Sequence, residues 1–371
     1  MKRICDINLI PRPPIYKYVA KKFIDPCALR RNAKKISHTA KLIAVIKDDA
    51  YGHGMTECAR ILSCVANMFA VANESEARSL LDSGIKKDIL ILHPCASPRL
   101  NADNVIYTLS SPRGCAAFEG SRTALKLNTG MNRFGADDDA RVLISFGQKL
   151  TRVHSVYTHL RCPSDKSITD VQYARFENAT KGVGLPRHIA ASGALRREAN
   201  APHDYVRCGI ALYGGTESYE RAMTVTAEVL ETRLVRAGEG CGYGTEVMRT
   251  DTYVAVLDIG YAQGYARTGG RRYVYLGGKR CRVIAICMDC MITECPKSIK
   301  RGDVAEIMGR HITPEELARA CGTITYEIFT SFGKITDIIY DTAEQKRNTN
   351  AIQVPQKAGT LPRGEGKKDS G

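Results

Sequence analysis

Leu42-Ile-Ala-Val-Ile46, closed by Lys47, is a continuous apolar run with no polar alternation. A strand with one face in water alternates, whereas a strand buried on both faces is apolar throughout, as in a parallel sheet. Seven further runs follow, at 68–72, 88–92, 104–108, 124–128, 154–159, 188–192 and 205–212. Helices are predicted between several of them. Residues 56–65 have apolar side chains at helical spacing, and 74–83 are stopped by Gly84. Residues 137–149 begin with acids and end near Lys149, the order the helix dipole favours. An open doubly wound sheet would carry a Gly-rich phosphate loop after its first strand, and none follows Ile46. The expected fold is therefore α/β, with an N-terminal (β/α)8 TIM-like barrel.

From about residue 222 the texture changes. Runs at 225–235, 253–258 and 282–287 look like strands separated by Gly-containing turns. One helix is predicted there, Pro314–Cys321, with Thr313 as N-cap and Pro314 in the first helical position. The organisation expected is an N-terminal segment 1–11, a barrel 12–222, a mainly β C-terminal domain 223–342, and a disordered polar tail 343–371.

A chain of 371 residues has room for one large and one smaller domain. No run approaches the roughly 20 apolar residues of a membrane helix, and Met1–Ile10 lacks the apolar core of a secretory signal. A cytoplasmic protein without a membrane partner is expected, its 14 cysteines free thiols. The net charge of +15 is scattered, with no basic stripe interleaved with aromatics. That pattern speaks against nucleic-acid binding and suits the gathering of small anions.

In a barrel of this kind, reactive groups sit at the C-terminal ends of the strands. Lys47 ends the first run, Lys126 lies in the fifth with Arg133 beyond it, and His159 ends the sixth. Ser192 ends the seventh, and Arg207 lies in the eighth, just before Gly209. An isolated strand-end lysine ordinarily snorkels to water. Lys47 is followed instead by a loop of permissive and polar residues ending in Gly52-His-Gly54. Loss of hydration there would favour the neutral amine that Schiff-base chemistry needs. Cys287-x-x-Cys290 has no second pair to complete a metal site, and His53 has no cluster of ligands beside it, so no metal is expected.

Ala44-Val-Ile-Lys-Asp-Asp-Ala-Tyr-Gly-His-Gly54 resembles the pyridoxal-phosphate signature of the alanine racemase family. Further similar motifs come in the family's order. They are Lys126-Leu-Asn-Thr-Gly-Met-Asn-Arg-Phe-Gly135, Thr158-His159, Val206-Arg-Cys-Gly-Ile-Ala-Leu-Tyr-Gly214, Gly242-Tyr-Gly244, Ile259-Gly-Tyr-Ala262, Cys287-Met-Asp289 and Tyr326-Glu327. The resemblance implies that Lys47 holds pyridoxal 5'-phosphate and is one catalytic base, with Tyr243 the second base on the opposite face of the ring. His159, His188 and Arg207 would support them, and Arg207 would face the pyridine nitrogen. An arginine does not readily give up its proton, so that nitrogen would stay unprotonated and the ring a weaker electron sink. Tyr51, Ser192, Tyr326 and the backbone of Gly209 and Ile210 would hold the phosphate. Arg133 and the Met288 backbone would hold the substrate carboxylate, and Tyr261 with Asp289 would narrow its entrance. Lys126 matches a lysine that is often carbamylated. In the family the second-domain residues reach into a partner's barrel, which implies a homodimer with shared active sites and a free amino acid as substrate.

The chain departs from the family's pattern in places. Asp48-Asp-Ala50 stands where Ala-Asn-Ala is usual, Ala191 replaces an asparagine, and Gln263 and Cys290 replace Asp and Gln. The implied reaction is interconversion of L- and D-alanine, supplying D-alanine for peptidoglycan. A serine or broad-specificity racemase, a fold-related decarboxylase and a non-catalytic cofactor carrier stay open. A decarboxylase would show an acid in place of Arg207, and a carrier would lack the second domain with Tyr243.

Overall fold

The computed structural model describes residues 20–137, 139–198, 203–244 and 247–340. The expected segment 1–11 and tail 343–371 lie outside the described residues. The described chain opens with strand β1 (Lys21–Ile24) and helix α1 (Pro26–Ser37). Pro26 fills the first helical position, where no amide hydrogen is needed, and the Asp25 carboxylate accepts from the Cys27 and Ala28 amides.

A parallel sheet follows: β2 (Lys41–Val45), β3 (Met68–Val71), β4 (Asp88–Ile91), β5 (Val105–Leu109), β6 (Arg122–Lys126), β7 (Arg152–Tyr157), β8 (Arg187–His188) and β9 (Tyr205–Cys208). β9 returns to pair with β2. A bridge between Ala191 and Arg207, with the Arg207 amide donating to the Ala190 carbonyl at 3.0 Å, joins β8 to β9 and closes the barrel. Each apolar run overlaps one of these strands, the run at 188–192 only at His188. Their interior residues are buried because the barrel covers one face and helices the other. Between strands lie a short turn α2 (Lys47–Gly52) and helices α3 (Met55–Leu62), α4 (Glu74–Asp82), α5 (Ala140–Leu150), α6 (Lys166–Thr180) and α7 (Leu195–Glu198). Helix α5 starts later than the acids at 137–139 suggest. Asp137 instead accepts from the Asn128 side-chain amide at 2.6 Å, which ties it to the loop after β6.

The second sheet contains β10 (Met223–Val235), β11 (Thr252–Leu257), β12 (Tyr273–Leu276), β13 (Lys279–Ile286), β14 (Met291–Glu294), β15 (Val304–Met308) and β16 (Ile338–Tyr340). Its order is β11-β14-β13-β12-β15-β10-β1-β16, with β11 also pairing β10. Strand β1 therefore belongs here, between β10 and β16, although it falls inside the expected barrel span 12–222. Helices α8 (Pro314–Cys321) and α9 (Thr325–Ser331) complete the domain. Helix α8 is where the sequence puts it. Helix α9 was not expected, because its Thr-Tyr-Glu-Ile-Phe-Thr-Ser is short and rich in β-branched and aromatic residues that favour strands. The described cysteines are free thiols, and no described helix is long and apolar enough to cross a membrane.

Asn32 on α1 joins the end of the barrel to the approach to the second sheet. Its buried side chain donates to the Leu212 and Glu220 carbonyls at 2.9 and 2.7 Å and accepts from the Glu220 amide at 2.9 Å. Asn32→Ala leaves three backbone groups without that partner. It should cost about 2–4 kcal/mol, read as a lowered melting temperature, whereas Lys34→Ala on the exposed face of the same helix should leave it unchanged.

Candidate active site

Lys47 follows β2 and opens α2, and the chain there takes a rare path. Asp48, Asp49, Ala50 and Tyr51 all have φ between 52° and 54° and ψ between 39° and 53°, a turn of left-handed helix built without glycine. This conformation costs an L-residue roughly 1–2 kcal/mol, so contacts must hold it. The His53 ring, stacked on Tyr213 with centroids 4.4 Å apart, presents Nδ1 to the Ala50 and Tyr51 carbonyls at 3.0 and 3.1 Å. Burial pushes His53 down to about 3, so the ring is neutral and Nδ1 carries the hydrogen that both carbonyls accept. His53 is thus a structural clamp. The turn brings Lys47 and Tyr51 to the same side of the barrel mouth.

They line a cavity of about 830 Å³ with Lys126, Arg133, His159, Ser192, Arg207, Gly209, Ile210 and Tyr326. Of the residues proposed from sequence, these ten converge in one chain. They reach the cavity because each follows or ends a barrel strand, except Tyr326, which comes from α9. At one end, Tyr51 lies against the backbone after β9. A Cβ on Gly209 would sit 2.2 Å from the Tyr51 hydroxyl, so only glycine permits the approach. Ser192 Oγ accepts from the Ala211 amide at 3.3 Å beside it. Burial raises the Tyr51 and Tyr326 phenols above their usual value, which keeps them protonated donors. Hydroxyls gathered on a glycine-permitted backbone fit a phosphate group.

The rest of the cavity is cationic. Arg207 is 4% exposed and held on several sides. It donates to the carbonyls of His188, Thr158 and Ile189 at 2.9, 2.5 and 3.2 Å. Its Nη1 lies 2.6 Å from His188 Nδ1, which must accept. The hydrogen then sits on His188 Nε2, 2.9 Å from Ser155 Oγ. Burial, and then the Arg207 charge, push His188 well down and keep it neutral. His159 is pushed to about 3 by burial and by Arg207, Lys126 and Arg133. Burial and the same two arginines lower Lys126 to about 7. The Tyr157 ring, not singled out from the sequence, underlies this group. It stacks on His188 at 4.8 Å with Arg207 5.0 Å and Lys126 5.4 Å above it, and its hydroxyl meets Thr108 Oγ1 at 2.7 Å. Its alternation with Ser155 on β7 was the available signal. So many cations around one cavity call for an anionic occupant.

One expectation needs correction. Lys47 is not fully buried: its side chain is one-third exposed and paired with Asp48 Oδ2 at 3.0 Å, so the Asp48 departure places a carboxylate directly on this amine. In the single chain, Tyr243, Tyr261, Met288 and Asp289 do not line the cavity. They belong to three loops of the C-terminal domain. The Tyr261 and Ala262 amides donate to the Cys287 and Met288 carbonyls at 3.1 and 2.8 Å. Gly242 packs so tightly that a Cβ would meet Ala285 at 2.4 Å, which seats the Tyr243 loop on β13. Tyr243 is 85% exposed and Met288 59%. Cys287 and Cys290 flank the Met288-Asp289 turn, with the Cys287 amide donating to the Cys290 carbonyl at 2.8 Å.

A closed parallel barrel with a cation-lined mouth, a lysine just beyond its first strand and an antiparallel second domain define a two-domain barrel enzyme for small anionic ligands. Residues 24–217 match the family description "Alanine racemase, N-terminal domain" and residues 222–340 "Alanine racemase, C-terminal domain". The chain belongs to the alanine racemase family. It is 32% identical over 349 residues to an alanine racemase of Pseudomonas taetrolens, covering 85% of this chain and 97% of that one. It is also 32% identical to a catabolic alanine racemase of Pseudomonas putida, again covering 85% and 97%. Its fold is similar to an alanine racemase from E. faecalis (TM-score 0.79, 25% identity, 87% and 98% covered). A Bartonella henselae alanine racemase with covalently bound pyridoxal phosphate is similar too (TM-score 0.79, 26% identity, 87% and 99% covered).

Lys126 gives a pH test of this electrostatic arrangement. Its value falls from 10.5 to about 7 on folding. Between those values the unfolded chain holds one proton more, so Lys126 contributes a rise in stability as pH climbs from about 7 towards 10. Below 7 both states are protonated and this contribution is flat. The difference in melting temperature between wild type and Lys126→Met in CO2-free buffer should shift in favour of the wild type from pH 6 to 9.

Proposed function

We propose that this enzyme interconverts L- and D-alanine using pyridoxal 5'-phosphate bound at Lys47. The observation that carries the reading is the convergence of Lys47, Arg207 and the Tyr51–Ser192–Gly209 cluster around one cavity, on a chain of this family. When bound, the cofactor withdraws electrons from the α-carbon of an amino acid attached to it. Tyr51, Ser192, Tyr326 and the backbone at Gly209 and Ile210 hold its phosphate. Arg207, fixed by its carbonyl partners, would hold the ring end of the cofactor, where an arginine that keeps its proton would limit how far charge is drawn into the ring. Arg133 and the Met288 amide hold the substrate carboxylate, with Lys126, neutral or carbamylated near pH 7, orienting Arg133. Tyr261 and Asp289 narrow the entrance.

Lys47 takes or returns the α-proton on one face. The Tyr243 phenol does so on the other, its network shared with His159, His188 and Arg207. The exposure of Tyr243 and Met288 in one chain supports their delivery to the cavity of a second copy, making a homodimer with two shared sites. The reaction would be cytoplasmic and supply D-alanine for peptidoglycan. The Pseudomonas putida relative is a catabolic alanine racemase, so a catabolic role is the other use to consider.

Racemisation of a panel of L-amino acids, read by chiral product analysis, tests the reading: alanine should turn over fastest, and no product of inverted configuration from any member would sink it. Lys47→Ala should lose the cofactor's visible absorbance band, and Tyr243→Phe should slow turnover by about 10²–10⁴-fold. Mixing these two inactive variants tests the shared sites. Random reassortment makes half the dimers mixed, each with one intact site, so about a quarter of wild-type activity should return. No recovery would place both bases on one chain.

A further inference from the structure

We infer that the ammonium of Lys22, carried on a strand of the second sheet, is a positioning group for the cofactor lysine: by holding the Gly52 carbonyl it locks the left-handed turn that presents Lys47 and Tyr51 to the cavity. The inference rests on the reading that Lys47 binds pyridoxal phosphate.

Lys22 is fully buried, a rare state for a lysine. Its Nζ donates to the Gly52 carbonyl at 2.6 Å. That carbonyl is one of four in succession held by side chains. His53 Nδ1 serves Ala50 and Tyr51, Lys22 serves Gly52, and the Tyr340 hydroxyl donates to His53 at 2.9 Å. Lys22 and Tyr340 come from the adjacent strands β1 and β16, whose register sets Ile24 beside Tyr340 and Lys22 beside Ile338. The clamp on the cofactor turn is therefore built half from the turn itself and half from the other sheet. Gly52 also packs close, since a Cβ there would lie 2.5 Å from the Phe329 carbonyl oxygen.

The charge has a cost. Burial lowers Lys22 to about 8, with Asp49 and then Cys58 opposing the shift. Asp49 lies in the turn that Lys22 holds, and its carboxylate accepts from the Met55 amide at 2.8 Å. It is the second of the two acids that depart from the family's usual loop. An ammonium beneath the turn and a carboxylate within it form one arrangement, in which the charge on Asp49 helps keep a cation beneath the Gly52 carbonyl. Lys22 does not line the cavity. It acts on the angle at which β2 hands Lys47 and Tyr51 to the cavity.

The test compares wild type with Lys22→Met, which keeps the stem and removes charge and donor. Apoprotein is titrated with pyridoxal phosphate at the visible band, and melting temperatures are taken with and without the cofactor. A lysine that only supports the fold lowers both melting temperatures equally, because the cofactor's increment depends on its affinity alone. A positioning lysine narrows the gap between them. Lys22→Met should bind pyridoxal phosphate about tenfold more weakly, the factor expected for a charged hydrogen bond to a buried carbonyl. Its amides at 48–54 should exchange faster, and Lys22→Gln, a neutral donor on a shorter stem, should recover part of the affinity. Wild-type affinity and an unchanged gap in Lys22→Met overturn the inference. If Lys22→Met does not fold, Lys22→Gln is read against wild type by the same two outcomes. If wild type fails to bind pyridoxal phosphate through Lys47, the proposed function falls and this inference with it. If wild type binds and the variant binds equally, only this inference falls.

Discussion

Four consecutive residues after Lys47 are held in a backbone conformation that L-amino acids avoid, and much of the site depends on that constraint. A right-handed turn at the same place would project Tyr51 differently relative to β2. With the left-handed turn, the Tyr51 phenol meets the backbone at Gly209 while Lys47 stays at the mouth of the barrel. The strain is offset outside the turn, by the His53 ring and by donors from β1 and β16. This is why the two domains are not separable units: a strand that precedes the barrel in sequence is laid into the second sheet and reaches back to support the barrel's first loop.

Electrostatics at the barrel mouth follow from the same geometry. Parallel strands end on one rim, so Lys47, Lys126 and Arg207, far apart in sequence, share a cavity with Arg133. Burial first, and then the charge of Arg207, keeps His159 and His188 neutral, and burial with Arg207 and Arg133 brings Lys126 close to neutrality. A site so arranged stores unfavourable energy that an anionic ligand relieves. Asp48, paired with Lys47, supplies a carboxylate in that field.

The eight strands of the barrel were legible because burial on both faces writes itself as unbroken apolar runs. Helix α8 was legible because Thr313 and Pro314 mark its start. Helix α9 was not, since its composition favours strands and only its packing makes it helical. The membership of β1 was hidden for a different reason. Four residues carry no information about which sheet they join, and the pairing of Phe23 with Thr224 on β10 and Ile339 on β16 lies 201 and 316 positions away (224 − 23 and 339 − 23). Ten site residues were recognisable by motif and by their place at strand ends. Tyr157, Lys22 and Tyr340 were not, because side chains that act beneath a site look like any other strand residue.

By itself the amino-acid sequence determined the kinds of element, their order, and the chemical groups offered at each strand end, since these depend on local patterns of apolar and polar residues. Tertiary structure alone decided that a buried ammonium from one sheet would meet a carbonyl of the other domain's turn, and that Lys47 would sit beside Asp48 in partial contact with water. It also left Tyr243 outside the cavity of its own chain. Such outcomes depend on distances between residues remote along the chain, and no local pattern encodes those distances.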